Sequence, residues 1–144
     1  MKKLPTIAST MSPFPYSIDA EASIASAAEM MREHDIHHLP VTEGEELVSV
    51  ISLNEVRLVT APFSSHQDAV DIYVKDVCAP RAIKVDIHDA LDYALEIMVE
   101  RHISSVLVTK NGKLAGILTH TDVCAKFAEL LHQLKPNPDG TSAA

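Results

Sequence analysis

The chain has 144 residues, with 12 Lys+Arg against 20 Asp+Glu and a formal charge of −8. That length suits one compact domain or two small half-domains, and 47% apolar residues can build a core, which argues against wholesale disorder. The acidic balance opposes binding to nucleic acid or an anionic membrane, both of which call for a basic surface.

Met1-Lys2-Lys3 begins like a secretion signal, but Pro5, Thr6, Ser9 and Thr10 interrupt any apolar run, so no signal peptide is expected. No stretch approaches the ~18 apolar residues of a membrane helix, and a cytoplasmic location is expected. Residues 16–18 are a strand candidate. Ile24, Ala27, Ala28 and Met31 recur at i, i+3, i+4 and i+7, which predicts an amphipathic helix with its methionine in the core. Residues 38–42 and 47–51 read as strands around a turn, and a second helix starts near Leu53. A connector over 61–73 leads to a strand at 83–85 and to the helical stripe Leu91, Ala94, Leu95 and Met98. Strands at 105–109 and 114–118 flank Asn111-Gly112, a dipeptide that tolerates positive φ and favours a tight hairpin. A last helix starts near His120, and residues 134–144 read as a disordered tail.

The second half repeats the first. A shift of 67 pairs Pro13 with Pro80, Asp19 with Asp86, Ala27 with Ala94, Met31 with Met98, Ile36 with Ile103 and Val41 with Val108. Many other pairs are apolar exchanges, such as Ile24 with Leu91 and Val50 with Ile117. The predicted class is α/β (α+β): two β-α-β-β-α units, 6–60 and 74–133, each with a mixed three-stranded sheet and two helices. The crossover helix joins parallel strands. A unit this small exposes much surface alone, so the copies should pack together about a pseudo-twofold axis, with a cleft between them.

Met11-Ser12-Pro13, Cys78-Ala79-Pro80, His38-Leu39-Pro40-Val41 and, above all, Gly116-Ile117-Leu118-Thr119-His120-Thr121-Asp122 resemble the motifs of tandem cystathionine-β-synthase (CBS) domain pairs, or Bateman modules. The resemblance covers about residues 6–124. It implies an adenosine-containing ligand between the units, from the class of AMP, ADP, ATP, S-adenosylmethionine and NAD. It also implies a homodimer that senses this ligand for a protein partner.

The residues themselves support such a site without a glycine-rich phosphate loop, which the four glycines cannot form. Gly116 permits close approach of backbone or ligand. Thr119 would cap a helix whose N-terminus suits a phosphate, and Asp122 would accept from ribose hydroxyls. A base would sit between the strand near Ile83, Lys84 and Val85 and the backbone of Ile103, Ser104 and Ser105. Lys84 and Arg81 are candidate phosphate partners. No Arg or Lys stands beside the helix start, which favours AMP or an uncharged-tail adenosyl compound over ATP.

Two other readings stay open. Thr119-x-x-Asp122 is close to a capping box, and Ser52-x-x-Glu55 in the first copy is a better one and a poorer ribose site. The repeats would then be a ligand-free scaffold. His34, His37 and His38, with His120 and Cys124 at i, i+4, suggest a metal sensor but lack a closed four-ligand pattern, so no metal is expected. Cys78 and Cys124 are read as reduced thiols. No activated nucleophile can be assigned, and a non-catalytic module is expected.

Overall fold

The computed structural model describes residues 3–13, 16–60, 72–79 and 81–136. Most of the predicted connector, Pro80 and most of the predicted tail lie outside the described residues. The elements are α1 (Ile7–Thr10), β1 (Ser12–Pro13), β2 (Ile18–Asp19), α2 (Ile24–His34), β3 (His38–Glu43), β4 (Glu46–Ser52) and α3 (Leu53–Thr60). A 3₁₀ turn (Val74–Asp76) opens the second half, followed by β5 (Lys84–Asp86), α4 (Leu91–Arg101), β6 (Ser105–Lys110), β7 (Lys113–Thr119) and α5 (His120–Leu134). No described helix is long and apolar enough to cross a membrane.

Each half is the β-α-β-β-α unit that the periodicity predicts. In the first sheet β2 runs parallel to β3, and β3 antiparallel to β4. In the second, β5 runs parallel to β6, and β6 antiparallel to β7. The predicted stripes face inward: Ile24, Ala27 and Met31 are buried on α2, and Ala94 and Met98 on α4. Asn111 and Gly112 both take positive φ, 53° and 78°, and close the β6–β7 hairpin. Both crossover helices end on a non-glycine residue in the left-handed region, Asp35 at φ 50° and His102 at φ 53°. These two positions are also 67 apart.

Two features depart from the predicted elements. The strand proposed for 16–18 is Ile18–Asp19, and Tyr16 lies outside it and stacks on His34, with ring centroids 3.7 Å apart. The second sheet has four strands instead of three, in the order β1-β7-β6-β5. Its extra strand comes from the start of the chain, with Ser12 opposite Ile117 and Pro13 opposite Gly116.

That extra strand belongs to an exchange of lead-in segments. Ile7 is fully buried in the second unit's core with Val85, Val106, Val108 and Leu118. Val74, its counterpart at the shift of 67, is fully buried in the first unit's core with Ile24, Leu39, Val41 and Ile51. Burial of one such side chain stabilises by roughly 1.5–3 kcal/mol. Each unit therefore completes its core with residues from outside its own β-α-β-β-α segment. A third apolar cluster of Leu47, Leu107 and Ile117 joins the sheets and leaves clefts on either side of the junction.

Candidate ligand clefts

Strand β7 ends at Thr119, which stays extended (φ −116°, ψ 166°) and caps α5. The Asp122 N–H donates to Thr119 Oγ1 at 3.3 Å, while Asp122 Oδ2 accepts from the Thr119 N–H and hydroxyl, each at 2.9 Å. Asp122 Oδ1 accepts from the Ser12 hydroxyl at 2.9 Å. In the first unit the Glu55 N–H donates to Ser52 Oγ at 3.2 Å, and the Ser52 N–H to Glu55 Oε1 at 2.9 Å. Both boxes are closed, so each acidic residue has a structural role before any ligand arrives.

Two clefts adjoin these helix starts. The first, a cavity of about 380 Å³, has Thr119, Thr121 and Asp122 on one wall. The facing wall comes from the first unit: Tyr16 and the stretch from Asp35 to His38. The second, about 200 Å³, sets Ser52 and Glu55 with Arg81, Ile83 and the stretch from His102 to Ser105. Small-molecule sites run to ≈ 300–1,000 Å³, so the first cleft falls in that range and the second below it.

The residues singled out from the sequence do not share one cleft. Thr119 and Asp122 line the first, whereas Ile103, Ser104, Ser105 and Arg81 line the second beside Ser52 and Glu55. The predicted base slot beside Asp122 is therefore corrected. The stretch at 103–105 faces the other unit's cap, and its counterpart at 36–38 faces Asp122. Lys84 is exposed and Val85 is buried in the core, and neither lines either of these two clefts. Gly116 lies in β7 against β1, where a Cβ would stand 2.7 Å from the Ser12 carbonyl oxygen. Its close approach is made by the chain's own backbone.

Tyr16, Ile36, His37 and His38 were missed as cleft residues. The shift of 67 applied to the chosen stretch at 103–105 points to 36–38, given that the units exchange segments. His38 lines both clefts, and its Nε2 lies 2.9 Å from Ser104 Oγ. Burial pushes its pKa below the ordinary value, His37 and His120 push the same way, and Asp122 opposes them. His34 stacks on Tyr16, and among the described residues no three His, Cys, Asp or Glu side chains are grouped to hold an ion.

The CBS domain family model matches residues 7–60 and 74–129. An uncharacterized protein of Methanocaldococcus jannaschii is 29% identical over 122 residues, 81% of this chain. The chain spans 39% of that relative's length. The CBS domain pair of protein MJ0100, crystallised with 5′-methylthioadenosine and S-adenosyl-L-methionine, superposes with a TM-score of 0.76 at 22% identity, covering 89% of this chain and 99% of that one. CBSX2 in complex with AMP gives a TM-score of 0.71 at 24% identity, covering 88% and 98%.

Proposed function

The chain belongs to the CBS domain family, and on that premise we propose that it is a non-catalytic sensor that binds an adenosine-containing ligand in the first cleft and presents its altered packing to a partner protein. One observation carries the proposal. Thr119 and Asp122 come from one unit and Tyr16 and Ile36 from the other, so a ligand in this cleft touches both. Such a ligand shifts the arrangement of the units by its differential affinity for their packings. Tyr16 offers a ring face to a base, Asp122 an acceptor to the ribose, and the start of α5 a positive dipole end. The adenosyl ligands and AMP carried by the two fold neighbours support this ligand class. The larger volume of the first cleft supports it as the main site and the one beside Glu55 as secondary.

A thermal-shift screen with AMP, ADP, ATP, S-adenosylmethionine, methylthioadenosine and NAD tests the proposal. A ligand at 100 times its Kd stabilises by ≈ 2.7 kcal/mol. At ~2–4 °C per kcal/mol, the rise in Tm is readily measured. Asp122→Ala should abolish the shift and Glu55→Ala should leave it. No shift with any of the six would refute an adenosine sensor.

The completed capping box favours a second reading, a ligand-free scaffold. Helix α5 has no buried residue and leaves Phe127, Leu131 and Leu134 exposed, a face suited to a second copy of the chain. A scaffold predicts a dimer in sedimentation and no Tm response to any nucleotide.

A further inference from the structure

The two clefts offer a ligand different charges. The first is lined by Asp35, Asp122, His37 and His38, and no lysine or arginine is among its described walls. The second holds Arg81 as well as Glu55. A guanidinium is charged at every physiological pH, whereas an imidazole with an ordinary pKa near 6.5 is largely neutral above pH 7. In mildly alkaline solution the first cleft therefore presents two carboxylates and no cation. The dipole at the start of α5 is met by Asp122 on its own first turn. A phosphate in that cleft would face like charge, whereas an uncharged ribose tail would not.

We propose that the first cleft takes a neutral nucleoside in alkaline solution and admits an anionic one only as His38 gains a proton, so that anion binding there is coupled to proton uptake. The proposal rests on the adenosine reading above and gives that ligand its charge class. His38 is placed for the role because Ser104 Oγ fixes its ring at the junction of the clefts. His37 precedes it in the chain, and His120 and Asp122 act on it from α5. Asp35 lies on the first cleft's side, and Glu55, Arg81 and His102 on the second's. The burial and neighbouring histidines that hold the free ring below its ordinary pKa are countered when an anion arrives.

Titration calorimetry on the full chain tests the coupling. The probes are adenosine and adenosine 5′-sulfate, whose ester charge does not titrate in this range. Arg81→Ala removes the permanent cation of the second cleft, and Tyr16→Ala checks that the binding belongs to the first. Adenosine should bind equally at about pH 8 and about pH 5.5, while the sulfate ester should tighten at least about tenfold toward the lower pH, with protons taken up from buffer. The His37→Gln/His38→Gln double variant, which removes both imidazoles of that wall, should lose the gain of the ester relative to adenosine at low pH. Should the double variant fold poorly, the His38 ring resonances of the unaltered chain carry the same test, because the bound ester should raise the titration midpoint of that ring. Ester affinity independent of pH, a gain that survives in the double variant, or an unmoved midpoint would overturn the proposal and leave the adenosine reading standing. Binding of neither probe at either pH overturns both.

Discussion

The Ser12 hydroxyl donates to Asp122 Oδ1 at 2.9 Å, which ties the start of the chain to the cap of α5 across 110 residues. An ionised carboxylate offers about four lone-pair sites. Two on Oδ2 are taken by Thr119, and Ser12 takes one on Oδ1. A ribose diol needs two acceptor sites, so one partner must yield. The Ser12 bond is solvent-exposed and is the one placed to yield.

Ser12→Ala should therefore act in opposite directions on stability and on binding. Loss of one hydrogen bond should lower stability by about 0.5–1.5 kcal/mol, read from urea melts. Adenosine should bind more tightly, since Oδ1 no longer has to be released. Weaker binding in this variant would show that Ser12 serves the ligand and does not compete with it.

The exchanged lead-in segments make a second prediction. Ile7→Ala should cost about 2–5 kcal/mol, the usual range for truncating a buried isoleucine. Amide exchange should speed up in β6 and β7, remote in sequence, more than in β3 and β4. Val74→Ala should reverse that order, because Val74 lies in the first unit's core. If each truncation loosens only its own half, the two cores are not completed by exchange.

Local pattern carried the units and remote pairing did not. The stripe of Ile24, Ala27 and Met31 and the Asn111-Gly112 turn are short-range features, and the structure places them as the pattern predicts. The docking of Ile7 under β6 and β7 depends on residues about a hundred positions away, and the four residues of α1 carry no period that names a partner. The cleft went wrong for the same reason. Ser105 pairs with Thr119 in its own sheet, yet the stretch from Ile103 to Ser105 lines the cleft of Ser52 and Glu55 instead. Gly116 was legible as a point of close approach, while the approaching group, the Ser12 carbonyl, was not.

Gly116→Ala tests that approach. The new Cβ would stand 2.7 Å from both Met11 Sδ and the Ser12 carbonyl oxygen. The methionine can swing away, but the carbonyl is backbone, so β1 must shift. Overpacking of this kind costs about 1–3 kcal/mol. The displacement should also weaken adenosine binding, because Ser12 and Pro13 of β1 themselves line the first cleft. The counterpart Ser49 already carries a side chain, whose hydroxyl donates to the Ala79 carbonyl. Ser49→Ala should leave that acceptor unpaired, cost about 1–3 kcal/mol, and spare the first cleft. Equal effects of the two substitutions on binding would contradict the assignment of Gly116 to β1 packing.

His38 should set part of the pH dependence of folding. Its pKa in the folded chain lies below the ordinary 6.5, chiefly through burial and then through His37 and His120. Between the folded value and 6.5 the unfolded chain therefore binds more protons than the folded one. Stability must rise with pH across that window. The contribution is intact above 6.5 and is lost as pH falls through the folded value. His38→Gln keeps a polar group near Ser104 and removes the titration. Urea melts at intervals from about pH 8 to about pH 5 should show the unaltered chain losing stability that the variant retains, so the gap between them closes on acidification. Carboxylates titrating lower affect both chains alike and cancel in the comparison. Parallel curves would mean that His38 is solvated, and would remove its ring from the junction of the two clefts.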